Sequence, residues 1–212
     1  MSAQDNAVAG LLLPASLLYR ALNNVRQAAS SDRTLPMLCA VRLLGNSSGF
    51  QAVATDRYVL VSQTLHGQGW DFPEVSLPRA EAQRLTTALR PWKIKPGNVR
   101  LWLLEQMLVV EFPDGSKAGY PVPVQENFLD FEALRRGLPQ QELPTYTSLG
   151  VTPRLLAVLG ALVLDDAEQP LALHLPQQER RSIYVTASGP GWSLWAVLIP
   201  ARTLGAHRGE DQ

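Results

Sequence analysis

Phe50-Gln51-Ala52-Val53-Ala54-Thr55-Asp56-Arg57-Tyr58-Val59-Leu60-Val61 is the stretch on which the reading of this chain turns. Its first half alternates as a β-strand does, Thr55-Asp56 breaks the run, and a second apolar run follows. The pattern predicts two strands meeting at a tight corner. Asp56 is expected to cap that turn through its side chain, with Tyr58 and Leu60 presented just beyond it.

Working outward, a repeat appears. Leu11-Leu12-Leu13-Pro14 leads into residues 15–25, Val75-Ser76-Leu77-Pro78 into 79–89, and Leu149-Gly150-Val151-Thr152-Pro153 into 154–162. Each is a short apolar strand ending in proline, then an amphipathic helix. Proline suits a first helical turn, because its missing N–H costs nothing there and its φ is already helical. Leu18, Leu22 and Val25 share one face, as do Leu85 and Leu89, and Leu155, Val158 and Leu162. Three strand-like runs follow each helix: 37–44, 49–54 and 58–65; then 99–104, 107–112 and 118–122; then 171–175, 182–187 and 193–199. The fold class is therefore α+β, a strand–helix–three-strand unit met three times. One such unit cannot bury its own sheet, but two related by a pseudo-twofold would lay two helices across two sheets and close a core. Residues 67–69 and 125–146 read as linkers.

Composition narrows the function. Of the 212 residues 46% are hydrophobic and 18% charged, ordinary for a globular chain. No apolar run is long enough to span a membrane, and no basic segment precedes the first apolar stretch, so neither a membrane span nor a secretory leader is expected. Cys39 is the sole cysteine, which excludes internal disulfides and fits a reducing compartment. Nineteen basic and nineteen acidic residues cancel, which argues against a surface that grips phosphate everywhere but allows one basic face. His66, His174 and His207 lie far apart, Cys39 reads as a small buried filler, and Gly189-Pro190-Gly191 lacks the lysine and helix of a phosphate loop. Asp165-Asp166 with Glu168 reads as an acidic loop at a helix end. No catalytic residue, metal site or cofactor is expected, which leaves a binding protein.

Four landmarks on this repeat resemble a known family. Thr34-Leu35-Pro36-Met37-Leu38 resembles the segment before the family's second strand, and Ala54-Thr55-Asp56-Arg57-Tyr58-Val59-Leu60 its A-T-D-x-x-R-L corner. Phe128-Leu129-Asp130-Phe131-Glu132-Ala133-Leu134, continuing to Leu138-Pro139, resembles its F-P-D-Y interdomain segment. Val197-Leu198-Ile199-Pro200-Ala201-Arg202 resembles its V-x-M-P-M-R ending. The family is the bacterial DNA sliding clamps, the β subunit of DNA polymerase III, and the resemblance runs from residue 10 to 202 in the family's order. It departs at Val59, where the pattern has arginine, and at Leu129, where it has proline. A clamp subunit has three domains of two half-units each. The resemblance implies a complete clamp-like domain over 8–139, similar to the middle one. It further implies a half-domain over 140–204, similar to the second half of the last, with flexible tails at 1–7 and 205–212.

The resemblance also implies a non-catalytic protein of DNA replication or DNA repair, a processivity factor or docking platform in the bacterial cytoplasm or nucleoid. Its partners would be DNA polymerase or repair proteins, bound through clamp-motif peptides. Matched residue by residue, the peptide pocket would comprise Leu38, Thr55, Arg57, Tyr58, Val59, Leu60, Leu129, Ala133, Leu134, Val197, Ile199, Pro200 and Ala201. The plainer account is that apolar residues at strand spacing are core. Double-stranded DNA, held without sequence preference, would meet the polar helix sides at Arg20, Asn23, Asn24, Gln27, Arg79, Gln83, Arg90, Lys93 and Lys95. The plainer account there is a solvated helix face. Ring closure would require a homo-oligomer. Two alternatives stay open: a truncated clamp-fold adaptor or competitor that does not encircle DNA, and an unrelated α+β domain.

Overall fold

The computed structural model describes residues 10–47, 49–67, 70–123, 131, 151–162, 164, 169, 171–174 and 182–199. The first unit consists of β1 (Leu11–Pro14), α1 (Ala15–Val25), β2 (Ala40–Asn46), β3 (Gly49–Thr55) and β4 (Val59–Leu65). The second consists of β5 (Phe72–Pro78), α2 (Arg79–Leu89), β6 (Asn98–Leu104), β7 (Met107–Glu111) and β8 (Lys117–Pro121). The third supplies α3 (Pro153–Gly160), β9 (Ala172–His174), β10 (Ile183–Gly189) and β11 (Trp192–Leu198). Of the strand expected before α3, Leu149 and Gly150 lie outside the described residues, and Val151 is in no strand.

The prolines act slightly differently from expectation. Pro153 opens α3 from inside its first turn, whereas Pro14 and Pro78 stand one residue earlier, as N-caps of α1 and α2. Both functions use the fixed φ and the missing N–H. A second correction concerns residues 36–39. The expected strand begins only at Ala40, because Pro36–Leu38 forms a single 3-10 turn closed by Cys39 N to Pro36 O at 3.0 Å.

All strand pairs among the described residues are antiparallel. β1 pairs with β6 and β5 pairs with β2, so each of the first two units lends its leading strand to the other's sheet. That exchange ties two units into one body. One sheet runs β1-β6-β7-β8. The other runs β5-β2-β3-β4-β11-β10-β9, because β11 of the third unit adds to β4 with Leu198 opposite Val59 and Trp192 opposite Leu65.

One core joins both sheets to the helices. Leu18, Leu22 and Val25 of α1, Leu85 and Leu89 of α2, and Leu155 and Val158 of α3 pack with Leu13, Val61, Leu101, Val110 and Leu194. α1 lies against α2 and across β3 and β4. Gly49 shows how close the backbones come. Its φ is 134°, and a Cβ there would stand 2.0 Å from Leu65 O, so only glycine fits.

Candidate functional site

The corner is built as its residue types require. Asp56 Oδ1 accepts from the backbone N–H of Tyr58 and of Val59, both at 2.9 Å, so the side chain caps the turn. Thr55 Oγ1 donates to Val59 O at 2.9 Å and accepts from Arg57 N at 3.2 Å. Asp56 Oδ2 takes an ion pair from Arg154 at the start of α3, which ties the third unit to this turn. Arg57, at the tip, has φ 84°, a left-handed conformation that suits glycine better than arginine. Ile199 N donates to Tyr58 O at 2.8 Å, so the corner and the end of β11 are stitched together.

Strand alternation sorts the expected pocket residues onto two faces. Val59, Val61 and Leu65 of β4 and Leu194, Ala196 and Leu198 of β11 turn to the helices and join the main core. Val59, 1% exposed, is therefore a core residue and is removed from the expected pocket. Leu60, Val197, Val53, Trp195 and Phe131 form a second apolar cluster on the opposite face, with Tyr184 against it. Leu60 and Val197 sit directly opposite each other in the β4–β11 register. At the rim of this cluster Tyr58 is 57% exposed and Ile199 44%, and Arg57 is exposed beside them. Thr55 shares the face, pairing with Leu60 in the β3–β4 register, although its hydroxyl is engaged within the turn. Leu38 is buried at the 3-10 turn. Leu129, Ala133, Leu134, Pro200 and Ala201 lie outside the described residues.

The sequence reading missed Trp195, Val53, Tyr184 and Phe131 as members of this face. Trp195, 4% exposed, has an indole N–H with no partner among the described residues. The Tyr184 ring stands 6.3 Å from that of Trp195 and 5.3 Å from that of His174. Arg42 lies 5.7 Å over the Phe131 ring and also pairs with Glu74 at 2.5 Å. Beyond the aromatics the face turns polar, with Gln51 Nε2 donating to Ser62 Oγ at 3.1 Å and His66 Nε2 bonded to Ser193 Oγ at 3.1 Å.

The helix faces are less uniform than expected. Arg79, Gln83, Arg90, Lys93 and Lys95 are exposed, and Asn23 and Gln27 half-buried. Asn24 is a correction: it is fully buried and donates from Nδ2 to Gln63 Oε1 at 2.9 Å, bonding α1 to β4 inside the core. Arg20 is half-buried with its guanidinium 5.2 Å over the Trp192 ring, which turns it toward the core rather than outward. Among the described residues no group of three or more histidine, cysteine, aspartate or glutamate side chains could hold a metal ion. None of their helices is long and apolar enough to cross a membrane.

No protein-family model matches the sequence, and no curated protein matches it. Solved structures do. The DNA polymerase III subunit beta from Pseudomonas aeruginosa aligns with a TM-score of 0.67 at 17% identity, covering 95% of this chain and 69% of that one. The corresponding beta chain from Streptococcus pneumoniae gives 0.70 at 15%, covering 96% and 67%. The sliding clamp from Bartonella birtlesii, solved bound to griselimycin, gives 0.68 at 15%, covering 96% and 69%. An unrelated α+β architecture is thereby excluded. Over nearly its whole length, the chain has the fold of the bacterial DNA sliding clamps.

Proposed function

We propose that this protein is a non-catalytic docking platform of DNA replication or repair in the bacterial cytoplasm, which binds short clamp-motif peptides of polymerases or repair proteins on the outer face of its seven-stranded sheet. The observation that carries this reading is the juxtaposition at the corner. Leu60 and Val197 stand opposite each other as a buried floor, with Tyr58 and Ile199 exposed above it and hydrogen-bonded to one another through their backbones. An apolar floor with a half-exposed aromatic rim and one guanidinium suits an anchor side chain flanked by polar backbone. On this reading the complete clamp-like domain ends near residue 139 and the third unit is a half-domain that supplies the second wall. The test is the affinity for a clamp-motif peptide. Ile199→Asp, at an exposed position, should weaken binding by more than about tenfold while leaving the fold intact. An unchanged affinity would remove the pocket assignment.

A second reading, the adaptor that does not encircle DNA, is favoured by the withdrawal of Asn24 and Arg20 from the helix face. Two of the expected phosphate-reaching groups are spent inside the molecule. Retention on nicked circular DNA, lost when the circle is cut, distinguishes the two. A platform that closes into a homo-oligomeric ring is retained; an adaptor binds the peptide and passes through.

A further inference from the structure

Between the end of α1, the loop over residues 30–39 and the start of α2 lies a cavity of about 530 Å³. Arg26, Arg33 and Arg79 line it, with Ser30, Ser31 and Gln83, and no carboxylate is among the lining residues. Three guanidinium groups around one cavity repel each other, and an anion seated among them would offset that repulsion. Burial lowers the pKa of Arg26; Tyr19 acts against that lowering, and the nearby charge of Arg79 adds to it. Arg26 Nη2 donates to Asn23 Oδ1 at 3.1 Å, while its buried Nε has no partner among the described residues. Arg33 and Arg79 are exposed and make no ion pair among the described residues.

The neighbouring acids are engaged elsewhere. Asp32 Oδ1 accepts from Thr34 N at 3.0 Å and Thr34 Oγ1 at 2.7 Å, and Glu81 accepts from Arg84 at 2.6 Å. Ser30 Oγ accepts from Asp32 N at 3.0 Å, which leaves its own hydroxyl hydrogen to donate. The N-terminus of α2 opens at the same place with no side-chain cap; the Arg79 N–H is bonded to Cys39 O at 2.8 Å, so what the helix adds is the positive end of its dipole.

We propose that this pocket seats a single phosphate group. A carboxylate fills one guanidinium fork, whereas a tetrahedral, doubly charged anion can accept from several forks and a hydroxyl at once. The seat is separate from the peptide face: it takes in Arg26, Arg33 and the serines, which the helix-face reading does not use. Its phosphate comes either from a nucleic-acid backbone or from a free phosphate ion.

Cys39, the only cysteine of the chain, lines the same cavity and is half-buried, so its alkylation rate reads occupancy without an added label. The full chain is titrated with inorganic phosphate, with a short DNA duplex and with a glutamate-rich peptide. Phosphate or duplex should slow alkylation several-fold and saturably. Arg33→Gln and Arg79→Gln, both at exposed positions, should each remove the slowing at unchanged helical circular dichroism, while Arg100→Gln, exposed on β6 and outside both the pocket and the helix faces, should keep it. Stronger slowing by the duplex than by free phosphate assigns the backbone source, and the reverse assigns the free ion. The rise in melting temperature on adding the same ligands carries the test if the thiol reacts too slowly. The proposal is overturned by no effect of phosphate or duplex in either assay, by an effect of the acidic peptide alone, or by an equal loss in Arg100→Gln. Peptide affinity at Ile199 is measured apart from this, so either claim can fail without the other.

Discussion

At the scale of single residues, the corner is held by polar groups that act both within the turn and across to α3. Asp56, buried in the turn, satisfies two backbone N–H groups and takes the Arg154 ion pair. Arg57 is the residue held against its preference. Left-handed φ costs an L-residue roughly 1–2 kcal/mol, and glycine gives back roughly 0.5–1 of that through its looser unfolded chain. Arg57→Gly is therefore expected to raise stability by about 0.5–1 kcal/mol in urea unfolding while weakening peptide binding through loss of the rim guanidinium. Asp56 as the turn's cap was legible in the sequence, since an aspartate after a strand has few better uses. The burial of Asn24 was not. Nothing in α1 marks it off from Asn23, and only β4 running beneath the helix supplies its partner Gln63.

At the scale of elements, the strand–proline–helix grammar was readable because proline and period-3.6 spacing act within one segment. What escaped was the outer face. Its members come from β3, β4, β10, β11 and Phe131, which meet only once β11 has paired with β4. Alternation shows that Leu60 and Val59 face opposite ways, but not which of them meets the helices; tertiary register decides that. The link between units can be tested directly. Arg154 pairs across nearly a hundred residues with Asp56, whose carboxylate is almost wholly buried while the arginine is 61% exposed. Exposure of the arginine discounts the Coulomb gain, but the buried carboxylate would lose one of its partners. Arg154→Ala should thus lower stability by about 1 kcal/mol. Amide hydrogen exchange should quicken in α3 more than in α1 or α2. Equal effects across all three helices would mean the ion pair does not anchor the third unit.

At the scale of the whole molecule, the exchanged strands β1 and β5 make the first two units one body, and the seven-stranded sheet carries the third unit onto it without a break. A continuous sheet has two broad faces. The helices and the arginine-lined cavity occupy one, and the aromatic and aliphatic cluster around Tyr58, Leu60, Trp195 and Val197 occupies the other. The clamp fold was recognisable from four short landmarks, whereas the division of labour between the faces needed the pairing of β4 with β11. Peptide docking on the outer face is the claim on which the functional reading stands. Backbone amide shifts followed by NMR during titration with a clamp-motif peptide test it most directly. Shifts concentrated at Tyr58, Leu60, Val197 and Ile199, with the α1 and α2 amides still, are the expected result. Shifts confined to the helices, or none at saturating peptide, would contradict it.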